Sequence, residues 1–111
     1  MMDRRIKLII GGRQTGKTSH LIDEVIKDPQ HNVLVCFSES EREHLVRCYP
    51  GLRSSIQVAA RGCAPISDKH WVGLDNFLYF DKPMEVLNAW WAHSDELVVT
   101  TDIPFDVEYL A

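Results

Sequence analysis

The stretch LIIGGRQTGKT, residues Leu8 to Thr18, decides the fold of this chain. From Gly11 to its last residue it matches the pattern G-x-x-x-x-G-K-[ST] without a mismatch. The apolar run Ile6–Ile10 predicts a buried strand, and the apolar spacing after the motif predicts a helix. The motif therefore joins a predicted strand to a predicted helix. This context argues against a chance match in a glycine-containing turn.

Each residue type in this loop suits the binding of phosphate. Gly11, Gly12 and Gly16 lack a Cβ, so the backbone can turn successive N–H groups toward one anion. A helix that begins near Gly16 adds the positive end of its dipole, Lys17 can reach the β and γ phosphates, and the Thr18 hydroxyl can ligate Mg²⁺. We predict a nucleotide site formed by Gly11, Gly12, Arg13, Gln14, Thr15, Gly16, Lys17, Thr18 and Ser19.

On this motif the chain resembles the P-loop NTPase superfamily. The resemblance implies ATP and Mg²⁺ as ligands and Lys17 as a catalytic residue. It also implies a three-layer α/β fold, in which a mainly parallel sheet of four to five strands is flanked by helices. With 111 residues, the chain is expected to form a single P-loop NTPase domain over residues 1–111.

The rest of the sequence predicts alternating helices and strands. An apolar stripe that includes Ile22 and Ile26 predicts a helix over Lys17–Lys27, and the uninterrupted apolar run Val33–Phe37 predicts a strand covered on both faces. Two overlapping S-x-x-E capping boxes predict that the next helix begins at Ser38 or Ser40. The remaining predictions are a helix end at Pro50-Gly51, a strand over Ser55–Ala60, a loop over Arg61–Lys69, a strand over His70–Leu74, a helix over Pro83–His93, a strand over Glu96–Thr101 and an edge strand through Phe105, Val107 and Tyr109.

The strand His70–Leu74 ends at Asp75, the pattern of a Walker B element, whose carboxylate holds Mg²⁺ through a water molecule. Turn chemistry alone also places Asp at strand ends. Asp81 is the competing candidate, but Lys82-Pro83 follows it directly and indicates the start of a helix. We predict Thr18 and Asp75 as the metal-binding residues.

Beyond these two elements, the chain resembles RecA-like and DnaB-like ATPases of the ASCE type. In those proteins the catalytic glutamate follows a run of aliphatic residues and a serine, and Val33–Ser40 is similar to that segment. The resemblance makes Glu39 the candidate for polarising water, although a glutamate in the first turn of a helix is also favoured by the helix dipole alone. Val98–Thr101 is similar to their sensor strand. Asn76 stands where related helicases and terminases place a glutamate.

The sequence is compatible with three functions. The first is an ATPase with a link to nucleic-acid transactions. Its hydrolysis is expected to be slow or to need a partner, because no residue of the chain is an evident arginine finger. The second is a non-hydrolysing nucleotide-binding module that acts on a protein partner. The third is a nucleoside kinase, because Gly11–Ile22 and Leu74–Phe80 are also similar to cellular thymidine kinases. That family expects Asp-Glu in place of Asp75-Asn76, a zinc-binding cysteine set and a nucleoside-covering loop, and this sequence has none of these features.

Composition limits the partners and the compartment. Hydrophobic residues make up 45% of the chain and charged residues 25%, as in soluble globular proteins, and no apolar run is long enough to span a membrane. The net charge of −4 does not support a nucleic-acid surface. The helix that carries Trp90 and Trp91 is the candidate surface for a protein partner or for self-association. Three widely spaced cysteines and a charged N-terminus without a signal sequence predict a cytoplasmic protein, or one of the host cytoplasm if it is viral.

Overall fold

The computed structural model describes the backbone of residues 5–10, and the backbone and side chains of residues 16–59 and 69–101. Three predictions lie outside the described residues. They are the loop positions Gly11–Thr15, most of the loop Arg61–Lys69 and the edge strand through Phe105, Val107 and Tyr109.

Five strands and three α-helices alternate along the described chain. The strands are β1 (Arg5–Ile10), β2 (Asn32–Cys36), β3 (Ile56–Val58), β4 (Lys69–Leu74) and β5 (Ser94–Thr101), and the helices are α1 (Lys17–Lys27), α2 (Glu39–Cys48) and α3 (Pro83–Trp91). Short 3₁₀ helices cover Pro50–Ser55 and Phe77–Tyr79. This order confirms the predicted α/β pattern.

All five strands form one parallel sheet in the order β1-β5-β4-β2-β3. Because the strands are parallel, their carboxyl ends lie along one edge of the sheet. At that edge Ile10 pairs with Thr101, and Leu74 pairs with Val99. The segments that follow β1, β5 and β4 therefore start from neighbouring points.

Helices cover both faces of the sheet and give three layers. On one face Leu21 of α1 and Leu45 of α2 belong to the same buried cluster as Leu34 and Trp71 of the sheet. On the other face the members of the cluster come from α3, from the 3₁₀ helix Phe77–Tyr79 with the residue that follows it, and from the sheet: Phe77, Phe80, Leu87 and Trp90 with Val33, Val35, Val72, Leu74, Leu97 and Val99. Every residue of β2 is buried, which confirms the prediction from its continuous apolar run.

Some predicted boundaries were wrong. α3 ends at Trp91, before the predicted His93, because the His93 carbonyl accepts a hydrogen bond (2.7 Å) from Lys69 N–H and pairing with β4 extends β5 back to Ser94. Ile26 is 52% exposed, because no element among the described residues covers that side of the last turn of α1.

Candidate nucleotide and metal site

The predicted loop leads into α1 through a left-handed residue. Gly16 is the N-cap of α1 with φ 77°, a conformation that glycine adopts without the steric cost of a Cβ. The first turn of α1 contains no acidic residue and begins with Lys17, Thr18 and Ser19. The amino end of α1 therefore presents a positive helix dipole and a lysine at the carboxyl edge of the sheet, which is the charge distribution that an anion requires.

Asp75 connects this helix to the sheet. It follows β4 directly and its side chain is only 1% exposed. Thr18 Oγ1 donates a hydrogen bond to Asp75 Oδ2 (2.7 Å), and Thr100 Oγ1 donates one to Asp75 Oδ1 (2.7 Å). Each carboxylate oxygen thus has a hydroxyl donor, one from α1 and one from β5, so the burial of this polar group is compensated by hydrogen bonds.

Backbone conformation at the end of β4 completes the arrangement. Asn76 has φ 54°, in the left-handed region that asparagine tolerates better than most residues. Its N–H donates to Thr100 Oγ1 (2.9 Å), and the Asp75 N–H donates to Val35 O (3.3 Å). Asp75 is therefore bonded to β2 by its backbone N–H and to β5 by its side chain, and the next residue, Asn76, is bonded to β5 as well.

The donor set fits a hydrated Mg²⁺ ion. The two atoms are a hydroxyl oxygen of Thr18 and a carboxylate oxygen of Asp75, and oxygens of these types are what Mg²⁺ prefers. Thr18 Oγ1 lies 2.7 Å from Asp75 Oδ2, so the carboxylate is close enough to an ion bound by the Thr18 hydroxyl to hold that ion through a water molecule. Because the Thr18 proton points to Asp75, the lone pairs of the hydroxyl remain available to a cation.

Two glutamates of α2 lie beyond the end of β2. Glu39, the predicted catalytic residue, is exposed, whereas Glu41 is half-buried and its backbone N–H donates to Ser38 Oγ (3.2 Å). Burial raises the pKa of Glu41, the negative charge of Asp75 raises it further, and His44 opposes the shift. The carboxyl of Glu41 therefore lies within electrostatic range of Asp75. For Glu41, the sequence alone predicts only a role in capping α2.

Cys36, the last residue of β2, is buried beside these acidic groups. Burial raises the pKa of its thiol to about 12, and the charges of Glu41 and Asp75 contribute to the shift. At neutral pH the thiol stays protonated, which makes it a poor nucleophile and a poor metal ligand. The thiol of Cys36 is therefore a weaker candidate for a metal ligand than the oxygen atoms of Thr18 and Asp75.

The other candidates from the sequence lie apart from this arrangement. Asp81 is exposed, and the segment before it is a 3₁₀ helix rather than a strand. Trp90 is 6% exposed and belongs to the core, and the half-buried Trp91 packs against the same cluster. The largest exposed apolar side chains near α3 are instead Leu78, Tyr79 and Met84.

Comparison of the chain with protein-family models, with curated proteins and with solved structures finds no match. Function is therefore inferred from the geometry of the site. None of the helices among the described residues combines the length and the apolar character that crossing a bilayer requires.

Proposed function

We propose that this protein binds Mg-ATP at the carboxyl edge of its sheet and hydrolyses it slowly, or faster when a partner stimulates it. The observation that carries the proposal is the hydrogen bond between Thr18 at the start of α1 and the buried Asp75 after β4. It brings the last residue of the loop motif and the strand-end aspartate to one point, as a shared Mg²⁺ requires. The two residues are 57 positions apart in the sequence.

Strand order adds support for a P-loop NTPase fold of the ASCE type. β5 lies between β1, which precedes the loop motif, and β4, which precedes Asp75. The strand that carries Thr100 and Thr101 therefore lies between the two elements that the sequence motifs predict. Thr100 on this strand is the residue that bonds Asp75, in agreement with the resemblance of Val98–Thr101 to a sensor strand.

Each group has a role in the proposed reaction. Lys17 and the amino end of α1 bind the phosphates, and Thr18 with Asp75 holds Mg²⁺, which when bound neutralises charge that develops on the phosphates. Glu39 is the proposed residue for orienting water, and Glu41 is the second candidate because its carboxyl is half-buried and within electrostatic range of Asp75. The protein acts in the cytoplasm under this proposal, where its three cysteines stay reduced.

The test of binding is ATP affinity in the presence of Mg²⁺, measured by calorimetry on the wild type, Lys17→Ala and Lys27→Ala. Lys27 lies at the other end of α1 and pairs with Glu24, so it controls for loss of a charge from the same helix. We expect weaker binding only in Lys17→Ala. Equal affinity in all three proteins would exclude the loop motif as the nucleotide site.

The test of hydrolysis is phosphate release by the wild type, Glu39→Gln and Glu41→Gln. The variant of the residue that orients water should lose turnover and keep ATP affinity. Binding without release by the wild type would favour the non-hydrolysing module that acts on a partner. Undiminished release by both variants would remove both glutamates from the reaction.

A further inference from the structure

A second cluster of metal-ligating side chains lies at the opposite edge of the sheet, where β2 and β4 begin. Asp28 is the C-cap of α1, His31 occupies the turn before β2, and His70 is the second residue of β4. One ligand atom from each of the three side chains lies within 4.8 Å of the other two. The phosphate site is at the carboxyl edge, so the two sites share no residue.

Backbone hydrogen bonds hold these three residues in place. The Asp28 carbonyl accepts from the N–H groups of His31 (3.1 Å) and Asn32 (2.9 Å), which closes the turn between α1 and β2. The His31 carbonyl accepts from the His70 N–H (2.9 Å), and the parallel register pairs Asn32 with Trp71. His31 and His70 are therefore lateral neighbours fixed by the sheet, and not two residues on free loops.

Side-chain geometry brings the ligand atoms to one side. The imidazole rings of His31 and His70 are stacked, with centroids 4.6 Å apart and an angle of 15° between the planes. His31 Nδ1 lies 2.9 Å from Asp28 Oδ2 and 3.1 Å from Oδ1. An ordinary ion pair at the end of α1 accounts for Asp28 and His31, but it does not involve the second imidazole.

We propose that Asp28, His31 and His70 form a site for a divalent transition metal, with Zn²⁺ as the best match. Two imidazole nitrogens and one carboxylate oxygen are a usual donor set for Zn²⁺, and water supplies the remaining position. At metal–ligand distances of about 2.0–2.2 Å, tetrahedral ligands lie about 3.3 Å apart. The pair formed by Asp28 and His31, 2.9–3.1 Å apart, is already close to this spacing. The His70 ligand atom, up to 4.8 Å from the other two, has to approach by up to about 1.5 Å, and its ring has to turn, because the in-plane lone pairs of stacked imidazoles do not converge on one ion.

A metal at this position ties three elements together. It links the end of α1 to the start of β2 and the start of β4, on the side of the sheet away from the nucleotide. We therefore expect it to stabilise the fold rather than take part in phosphate chemistry. Its presence does not depend on the proposed ATPase activity.

The experiment is a Zn²⁺ titration of the full chain, with no nucleotide or Mg²⁺ present, in competition with a chromophoric chelator. The wild type should bind one equivalent and show a higher melting temperature with Zn²⁺. His70→Ala and Asp28→Asn should each lose at least about tenfold in Zn²⁺ affinity, since mutation of a residue that only hydrogen-bonds a metal ligand already costs about that much. His44→Ala removes an exposed histidine from α2 and should bind as the wild type does.

Two further measurements separate this site from other ligands of the chain. Asp75→Asn should leave Zn²⁺ affinity unchanged, because that residue belongs to the phosphate site. Co²⁺ in place of Zn²⁺ should give a spectrum without thiolate charge-transfer bands, which excludes the cysteines. The proposal is overturned if the wild type binds no stoichiometric Zn²⁺, if His70→Ala and Asp28→Asn both bind it as tightly as the wild type, or if the Co²⁺ spectrum shows thiolate ligation.

Discussion

Replacement of Thr100 by valine removes one hydroxyl from the centre of the candidate site and keeps the shape of the side chain. Thr100 is fully buried, and its Oγ1 both donates to Asp75 Oδ1 (2.7 Å) and accepts from the Asn76 N–H (2.9 Å). A hydrogen bond to a charged group contributes about 1.5–3 kcal/mol, and an orphaned buried N–H costs about 1–3 kcal/mol. Because Asn76 is half-buried, water can reach part of this N–H, and we expect a total loss of about 2–4 kcal/mol.

Urea denaturation of the free protein measures this loss. Thr100→Ser is the matched control, because it keeps the hydroxyl and should retain most of the stability that Thr100→Val loses. In an Asp75→Asn background the cost of the valine should shrink, since the bond no longer involves a charge. A loss below about 0.5 kcal/mol for Thr100→Val would refute the claim that this hydroxyl holds the aspartate, because surface substitutions cost as much.

Two further predictions concern packing and charge. A Cβ on Gly73 would lie 2.6 Å from Trp71 Cη2, so Gly73→Ala should lower the free energy of unfolding by about 1–3 kcal/mol. The control is Gly51→Ala, which should stay near the wild type because nothing lies within 4 Å of its added Cβ. Equal urea midpoints for the two variants would contradict this prediction. Burial and the Asp75 charge raise the pKa of Glu41 above 4.5, so the contribution of Glu41 to the free energy of unfolding falls as pH rises through the raised pKa. Without Mg²⁺, Glu41→Gln should therefore be the more stable protein at pH 7 and should lose this advantage below about pH 4; an equal melting temperature at pH 7 would contradict it.

Local patterns in the sequence predict the elements of this fold well. The bounds of α1 agree with the apolar spacing after the loop motif, and Ser38 is the N-cap of α2, as its capping box indicates. The uninterrupted apolar run of β2 correctly predicts a strand that is buried on both faces. These properties depend on residues within a few positions of one another, which is why they can be recognised in one sequence.

The order of the strands in the sheet depends on segments that are far apart in the sequence, so local sequence patterns do not predict it. The resemblance of Val98–Thr101 to a sensor strand does not identify the strands that β5 pairs with or the atoms that Thr100 bonds, so its bond to Asp75 is visible only in the structure. The same reason applies to His31 and His70, which the register of β2 and β4 brings together. The electrostatic proximity of Glu41 to Asp75 likewise follows from the ends of two neighbouring strands.

The most direct test of the central claim is the Mg²⁺ dependence of ATP affinity, measured by calorimetry on the wild type, Asp75→Asn and Asp81→Asn. Under the proposal, the buried carboxylate of Asp75 would repel bound phosphates in the absence of metal, and a Mg²⁺ ion held by Thr18 and Asp75 would offset that repulsion. We predict that Mg²⁺ raises the affinity of the wild type and of the Asp81→Asn control by about tenfold or more, equivalent to about 1.4 kcal/mol, and that Asp75→Asn loses most of this increase. An increase of the same size in Asp75→Asn, or no Mg²⁺ dependence in the wild type, would contradict a metal site formed by Thr18 and Asp75.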